Sequence, residues 1–339
     1  MAFGIFDIGE STVKLRRFGR TDIEISELVF GGGFVGGILI DADDDTRREA
    51  IRRALDGGIN WIDTAPSYGQ GQSETALGWL LAELDEQPYL STKVGLDLSR
   101  LDDIPGHIER SLEQSLTRLG RDSVDLLQLH NPLGPAADAA TLNVEDVLKE
   151  QGVADALEGL KRQGLIRFLG ITALGDGAAC RQVIDSGRFD TAQVYYNLLN
   201  PSAGRKMPER WSGHSFDGII DACRRQDMGI MAIRILAAGV LATDTRTGRE
   251  IPVSTETHVE EEEQRTRAVF AALGDSYGTR AQTAIRCAIA NTDVSGAIVG
   301  LASLAHLDEA LAGAASGPLP EEAMAVLESV YASGFQHGK

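Results

Sequence analysis

Basic residues are scarce in this 339-residue sequence, which has 32 lysines and arginines against 50 aspartates and glutamates. The formal net charge at pH 7 is therefore −18. A field of that sign repels phosphate, which argues against nucleic acid or an anionic membrane as a partner. The charge does not exclude a nucleotide bound in a local basic pocket.

Long apolar runs and paired cysteines are also missing. No apolar segment approaches the roughly 20 residues that a membrane-spanning helix needs. The N-terminal segment MAFGIFDIGESTVKLRR lacks the basic-then-apolar pattern of a secretory signal. The cysteines, Cys180, Cys223 and Cys287, are odd in number and far apart, which argues against a disulfide framework or a zinc site. These absences predict a cytoplasmic protein with no membrane partner.

Short apolar segments of β-forming character alternate with helical segments along the sequence. About eight such pairs occur at a spacing of roughly 30–40 residues, which indicates a parallel sheet with helical crossovers. No linker or change of composition separates two halves, so the sequence predicts one closed (β/α)8 TIM barrel, an α/β fold, rather than two Rossmann domains. The predicted strands are residues 27–30, 58–63, 88–94, 124–129, 166–172, 191–195, 229–235 and 296–299.

Further segments are predicted around the barrel, which alone takes ~250 residues. Residues 1–14 are predicted to form a loose N-terminal arm, and residues 15–339 a single barrel domain. Residues 15–18 and 23–26 flank the turn sequence GRTD and are expected to pair as an N-terminal β-hairpin. The remaining surplus is assigned to two long loops and an extra C-terminal helix, at residues 131–146, 198–214 and 321–331.

Helices are predicted between the strands where apolar residues recur at helical spacing. One covers residues 147–163 and another covers residues 266–273. The acidic run 260–263 is expected to be a solvated helix start, since acids favour helix N-termini. Phe34 and Trp211 are candidate walls of a substrate pocket, although core or surface packing explains them equally well.

The segment GINWIDTAPSYGQGQSE, residues 58–74, has an unusual strand end. Its apolar first half stops at an acid, Asp63, and turn-forming residues follow, with Tyr68 among them. Ligands bind at the carboxyl ends of the strands in a parallel barrel. A carboxylate that closes a buried strand needs a partner, because burying it unpaired is costly.

Lys93 ends the third predicted strand and His130 follows the fourth. Alone, a lysine or histidine at a strand end is more often structural. A purely structural role is harder to argue for the full set of Asp63, Tyr68, Lys93 and His130. A buried lysine–aspartate pair seldom stabilises a fold more than apolar packing would. The sequence therefore predicts that these four side chains converge at one rim of the barrel.

Such a set supports proton transfer by a phenol. An ammonium group beside a phenol favours the phenolate, so Lys93, held by Asp63, would activate Tyr68. A neutral His130 would hydrogen-bond a carbonyl oxygen while Tyr68 donates a proton to it. No serine or cysteine nucleophile with a base is evident, so the attacking group is expected to be a hydride from a cofactor.

Three segments, GINWIDTAPSYGQGQSE, LSTKVG and DLLQLHNP, closely resemble the aldo-keto reductases. LRRFGRTDIEISELVFGGG resembles the opening hairpin and first strand of that family, and the resemblance covers nearly the whole chain. It implies a (β/α)8 barrel that uses NADPH or NADH to interconvert alcohols with aldehydes, ketones or aldoses, without a metal. It also implies that Asp63, Tyr68, Lys93 and His130 are the catalytic tetrad.

The resemblance extends to cofactor-binding positions, with departures. Thr172 stands where the family often has serine before asparagine. The family's Tyr-Ser-Pro-Leu after the seventh strand appears here as Ile233-Arg234-Ile235-Leu236, so the aromatic ring that stacks on nicotinamide is missing. Arg234 could stack by its guanidinium, meet the pyrophosphate, or be a salt-bridged rim residue. The implied cofactor contacts are Asp63, Thr172, Gln193, Arg234, Gly300, Ser303, His306 and Glu309.

Cofactor preference is left open by the resemblance. The family favours NADP(H), but its basic residues for the 2′-phosphate are absent here, and His306 occupies one such position. Residues 31–36, GGGFVG, fit a Rossmann-type GxGxxG pattern, yet the next helix starts only near Asp43, behind several acids. We interpret this segment as a loop that lets the backbone approach the ligand.

Two other functions remain open. A nucleotide-binding regulatory protein on the same fold would be similar to the potassium-channel β subunits, which keep the tetrad. A metal-dependent isomerase on a (β/α)8 barrel is less favoured, because the sequence offers no cluster of carboxylates and histidines.

Overall fold

Eight parallel strands close into a barrel at the centre of the structure, which is a computed structural model. The structure describes residues 13–336, apart from residues 86, 137, 139, 210, 212, 217, 247 and 251–257. In chain order the strands are β1 (Leu15–Arg17), β2 (Glu24–Ser26), β3 (Leu28–Gly31), β4 (Trp61–Asp63), β5 (Tyr89–Val94), β6 (Val124–Leu129), β7 (Leu133–Gly134), β8 (Leu142–Asn143), β9 (Ile166–Ala173), β10 (Thr191–Tyr195), β11 (Gly229–Ile233) and β12 (Gly296–Gly300). Around the barrel the order is β3, β4, β5, β6, β9, β10, β11 and β12, and β12 pairs with β3. This order confirms the predicted (β/α)8 barrel.

Helices connect the barrel strands and pack against their outer faces. They are α1 (Ile38–Asp41), α2 (Asp44–Asp56), α3 (Gln72–Ala82), α4 (Ile104–Leu119), α5 (Val144–Leu148), α6 (Val153–Arg162), α7 (Gly177–Asp185), α8 (Ile219–Arg225), α9 (Val259–Leu273), α10 (Arg280–Ala290), α11 (Leu304–Ala315) and α12 (Glu321–Ala332). Asp43, Asp103 and Asp176 each cap a helix by accepting a hydrogen bond from a first-turn amide. The last helix, α12, is the extra C-terminal helix that the sequence predicts.

Two helical predictions differ from the structure. The helix predicted at 147–163 is two helices, α5 and α6, because Gln151 adopts a left-handed φ of 57° between them. Gly152 packs so closely on α5 that an added Cβ would lie 2.6 Å from the Asp146 carbonyl oxygen. The acidic run 260–263 does begin a helix, but Glu262 is buried and not solvated.

The amino-terminal end of the barrel is closed by the hairpin of β1 and β2, which pair antiparallel as predicted. Phe18 is fully buried there, with its ring 5.2 Å from the ring of Trp61, the first residue of β4. Gly229 starts β11 beneath it, and a Cβ at that position would lie 2.4 Å from the Phe18 ring. The hairpin therefore fills one end of the barrel and leaves the carboxyl end for ligands.

The predicted N-terminal arm, residues 1–14, lies outside the described residues except for its last two. Val13 is buried, and its amide donates a hydrogen bond to the Gly57 carbonyl oxygen. Among the described residues, no helix has both the length and the apolar character to cross a membrane.

Candidate active site

A groove of about 510 Å³ opens at the carboxyl ends of the barrel strands. It runs from the ends of β4 and β6 to the first turns of α11. Lys93 and Ser303 do not line it. The other predicted site residues all do: Asp63, Tyr68, His130, Thr172, Gln193, Arg234, Gly300, His306 and Glu309.

Asp63 ends β4 and lies at the centre of a buried hydrogen-bond network. Its Oδ1 accepts hydrogen bonds from Ser91 Oγ (2.7 Å), Gln193 Nε2 (2.7 Å) and Gln128 Nε2 (3.2 Å). Its Oδ2 accepts from Lys93 Nζ at 2.5 Å. Four donors around one carboxylate hold it in one orientation.

Lys93 is the partner that the sequence predicts for Asp63. Its side chain is 1% exposed, and Nζ also donates to the Thr64 carbonyl oxygen at 2.8 Å. Burial alone lowers the pKa of Lys93, but the charges and hydrogen bonds of Asp63 and Tyr68 outweigh burial and raise that pKa above its ordinary value. Lys93 is therefore a fixed positive charge at neutral pH.

Tyr68 lies on the turn after β4, half-buried at the wall of the groove. Its amide donates to the Ala65 carbonyl oxygen at 3.1 Å, which fixes the turn. Lys93 Nζ lies 4.8 Å from the centre of the Tyr68 ring. The phenol thus has a buried ammonium beside it and the open groove in front of it.

His130 completes the set at the end of β6. Its ring centre lies 6.1 Å from that of Tyr68 at an interplanar angle of 84°, so both rings face the same part of the groove. Burial first, and then the charge of Lys93, lower the pKa of His130 to about 4. The imidazole is therefore neutral at pH 7 and has one N–H to donate.

Gln193 has a contact that the sequence did not reveal. The resemblance assigns this side chain to the nicotinamide amide, and its Nε2 also donates a hydrogen bond to Asp63 Oδ1. This hydrogen bond occupies one of its two N–H donors. Thr172, on the neighbouring strand β9, lines the same wall. Its Oγ1 is buried and has no hydrogen-bond partner among the described residues.

Arg234 lies just beyond the end of β11, where the backbone has a conformation that few residues adopt. Arg234, Ala237 and Ala238 have φ values of 60°, 45° and 54°, all in the left-handed region that disfavours residues with a Cβ. The Arg234 carbonyl oxygen accepts a hydrogen bond from Asn197 Nδ2 at 2.8 Å. The strand predicted to continue to residue 235 ends at Ile233 for this reason, and the turn brings Arg234 to the groove.

The far end of the groove is lined by the start of α11 and by residues after β11 that the sequence did not single out. Ser303 is the N-cap of α11, where its Oγ accepts from the His306 amide. Thr243, Thr245 and Glu250 also line the groove. No sequence motif in this segment indicates binding. Its place beside α11 is therefore visible only in the tertiary structure.

The glycine-rich loop after β3 lines the groove with Gly33, Phe34 and Gly36. Gly36 packs on the end of β12, where an added Cβ would lie 2.2 Å from the Leu301 amide nitrogen. Phe34 lines the groove and is 43% exposed. Trp211 does not line it; its ring contacts Phe335, with centres 5.9 Å apart.

Residues 27–332 match the sequence model of the Aldo/keto reductase family. The chain belongs to this family. L-galactose dehydrogenase of Arabidopsis thaliana is 25% identical over 303 residues, which cover 88% of each chain. D-threo-aldose 1-dehydrogenase of a Pseudomonas sp is 28% identical over 65% of this chain and 68% of that protein. The structure of aldo-keto reductase AKR11C1 from Bacillus halodurans (holo form) superposes with a TM-score of 0.72 at 22% identity, covering 94% of this chain and 96% of that one.

This aldo/keto reductase is an oxidoreductase, as the sequence predicts, and its family uses nicotinamide cofactors. The family assignment also removes the alternative of a metal-dependent isomerase. Among the residues that the structure describes, no group of three or more His, Cys, Asp or Glu side chains is placed to hold a metal ion.

Proposed function

We propose that this enzyme interconverts a carbonyl compound and an alcohol with NAD(P)(H), and that Tyr68 is its general acid and base. The observation that carries the proposal is the buried Lys93–Asp63 pair, which places an ammonium group 4.8 Å from the centre of the Tyr68 ring at the wall of the groove. A pair built only for stability would gain little over apolar packing, so the charge is expected to serve the phenol.

The groove has features that fit a nicotinamide dinucleotide, which supplies or accepts the hydride when bound. The unpartnered Thr172 Oγ1 and the side-chain amide of Gln193 would meet the carboxamide of the nicotinamide. Arg234 would contact the ring face or the pyrophosphate through its planar guanidinium. Gly36 and Gly300 both line the groove, and neither presents a side chain to a ligand.

In the reductive direction, Tyr68 Oη donates its proton to the carbonyl oxygen of the substrate as that oxygen gains negative charge. Neutral His130 donates a hydrogen bond to the same oxygen and orients it. The charge of Lys93 stabilises the phenolate that remains, and Asp63 holds Lys93 in place. In the oxidative direction the phenolate accepts the proton of the alcohol.

Replacement of Tyr68 by phenylalanine tests this assignment. We expect Tyr68→Phe to lower turnover by ~10²–10⁴-fold, the usual contribution of a positioned acid or base. The nucleotide dissociation constant, measured by fluorescence titration, should change less than about twofold because the ring remains. Tyr89→Phe is the matched control, since Tyr89 starts β5 at the opposite end of the barrel. Turnover that survives Tyr68→Phe contradicts the assignment.

A narrower candidate is an aldose dehydrogenase, which the names of two similar proteins favour: L-galactose dehydrogenase and D-threo-aldose 1-dehydrogenase. Oxidation of an aldose at its anomeric hydroxyl would give a lactone, with the proton passing to Tyr68. Rates for a panel of aldoses with oxidised cofactor should then exceed rates for small aldehydes with reduced cofactor. A nucleotide-binding regulatory protein would bind cofactor yet turn over neither panel.

A further inference from the structure

We propose that Glu74 is a positioning residue of the active site, which fixes Tyr68 relative to Lys93 through its bonds to Thr92 and Arg118. The inference rests on the proposed function, because it concerns the acid–base group that Tyr68 supplies there. Glu74 itself does not line the groove.

Glu74 lies in the first turn of α3, at the end of the sequence segment that carries Asp63 and Tyr68. Its side chain is fully buried. Its Oε1 accepts a hydrogen bond from Thr92 Oγ1 at 2.6 Å, and its Oε2 accepts one from Arg118 Nε at 2.7 Å. Because each carboxylate oxygen has its own donor, the side chain is held in one orientation.

Thr92 connects this carboxylate to the catalytic lysine. Thr92 and Lys93 are consecutive residues of β5, and consecutive side chains of a strand leave it on opposite faces. Lys93 bonds to Asp63, whereas Thr92 bonds to Glu74 on the neighbouring helix α3. Glu74 is therefore bound to the strand one residue away from Lys93.

Ser73, which precedes Glu74, connects the same helix to the loop that carries Tyr68. The Ser73 amide donates a hydrogen bond to the Tyr68 carbonyl oxygen at 3.3 Å. Ser73 Oγ lies 2.8 Å from Thr64 Oγ1 in a buried hydrogen bond, and the Thr64 carbonyl oxygen accepts from Lys93 Nζ at 2.8 Å. Both ends of the Tyr68 loop are thus bonded to residues that hold Lys93 or precede Glu74.

Arg118 fixes the end of this loop by packing. It lies in the last turn of α4, and its side chain covers Gly71, the N-cap of α3. A Cβ added to Gly71 would lie 2.7 Å from Arg118 Cδ. Glu74 holds Arg118 through Nε, so the carboxylate acts on the Tyr68 loop through the arginine as well as through the helix start.

Such an arrangement should affect the reaction more than it affects binding. Proton transfer needs the phenol and its neighbours at a fixed separation, and a misplacement of ~1 Å caused by a distant mutation can slow a reaction by ~100-fold. A nucleotide in the groove does not contact Glu74, since Glu74 is not part of its wall. Loss of the carboxylate should therefore lower the rate and leave nucleotide affinity nearly unchanged.

The variant Glu74→Gln keeps the shape of the side chain and removes the charge that holds Arg118. The reaction is measured in a single turnover by stopped-flow absorbance of the nicotinamide, because product release often limits steady-state rates. With the aldose or aldehyde that the wild type turns over fastest, we expect hydride transfer to slow by ~10–100-fold. The nucleotide dissociation constant should change less than about twofold. An unchanged single-turnover rate overturns the inference.

Glu27→Gln is the matched control for lost stability. Glu27 is also buried, and its Oε2 lies 2.8 Å from Arg16 Nη2 at the opposite end of the barrel. This variant should lose stability to urea as Glu74→Gln does, yet keep the wild-type rate. An equal loss of rate in both variants would assign the effect to stability and overturn the inference.

Thr92 provides a second test that keeps both charges of the pair, and it decides the question if Glu74→Gln does not fold. Thr92→Val removes only the donor to Glu74 and should slow hydride transfer several-fold, whereas Thr92→Ser restores the hydroxyl and should recover most of that loss. Equal rates in Thr92→Val and the wild type contradict the role of Glu74. A wild type that turns over no member of either panel, or a Tyr68→Phe variant with full turnover, contradicts the proposed function itself.

Discussion

At the residue scale, the most tightly constrained atoms belong to the carboxylate of Asp63. The sequence predicts its pairing with Lys93 from two strand ends, because a buried carboxylate requires a counter-charge. It does not predict the donors Ser91, Gln128 and Gln193, which lie 28, 65 and 130 residues away along the chain. Their side chains carry no motif, and only barrel closure brings them to one oxygen atom.

Removal of the Asp63 charge should destabilise the fold as well as the reaction. Asp63→Asn leaves Lys93 buried without its counter-ion, and loss of one partner of a buried pair costs about 3–5 kcal/mol. We expect urea unfolding at pH 7 to show a loss of that size. Asp227→Asn removes an exposed pair with Arg17 and is the control, with little measurable change expected. Equal stabilities of the two variants would contradict the role given to Asp63.

The buried side chain of Glu262 should make the free energy of unfolding decrease as pH rises. Burial raises the pKa of Glu262 to about 6, although the charges of Arg234 and Arg265 and a hydrogen bond from Tyr195 lower it, and Glu261 raises it. The folded state therefore binds this proton more tightly than the unfolded state, in which the pKa of a glutamate is near its ordinary value of 4.5. The free energy of unfolding must fall as pH rises between these two values.

The variant Glu262→Gln isolates this proton. Between pH ~5 and pH ~7.5, the free energy of unfolding of the wild type should fall by about 1 kcal/mol more than that of Glu262→Gln. Urea unfolding at the two pH values measures the difference. Glu260→Gln, exposed two residues earlier on α9, should follow the wild type. A wild type that gains stability relative to Glu262→Gln over this range contradicts the assignment.

At the element scale, the segment after β11 is tied to the loop after β3. Arg249 Nη1 donates to Asp41 of α1 at 2.7 Å, and its guanidinium lies 5.5 Å from the centre of the Phe34 ring. Residues of both segments line the groove. Sequence patterns could not predict this contact, because its partners are 208 residues apart and no motif links them.

Loss of the contact between Arg249 and Asp41 should increase the rate at which a bound nucleotide dissociates from the groove. We expect Asp41→Asn to raise the nucleotide dissociation rate several-fold in stopped-flow fluorescence, with little loss of stability because the pair is exposed. Asp44→Asn is the control, since Asp44 pairs with Arg47 on α2, outside the groove. An unchanged dissociation rate in Asp41→Asn would show that the two segments do not retain the nucleotide.

At the scale of the whole molecule, the hairpin of β1 and β2 is part of the barrel's packing. Phe18 lies against Trp61, and Arg17 and Arg20 bond to residues between β10 and β11. We propose on this basis that residues 15–336 form one domain, as the sequence suggests. The domain should then unfold in one cooperative transition, with tryptophan fluorescence and far-UV circular dichroism changing together.

Truncation of Phe18 tests the contribution of the hairpin. Phe18→Ala should lower the free energy of unfolding by about 3–5 kcal/mol, the usual cost of removing a large buried ring. Nucleotide affinity should persist, because the site lies at the opposite end of the barrel. Leu15→Ala is the control, since Leu15 is 52% exposed on the same hairpin. Separate unfolding transitions for the hairpin and the barrel would contradict the proposal that they form a single domain.

The sequence by itself determined the alternation of strands and helices, the hairpin, and the four residue types at strand ends that predict acid–base chemistry. Each of these follows from local periodicity or from the need of a buried charge for a partner. Only the tertiary structure decided that Gln193 bonds to Asp63, that Glu262 is buried, and that Glu250 and Glu309 line one groove. These are contacts between distant segments, and closure of the barrel is what makes them neighbours.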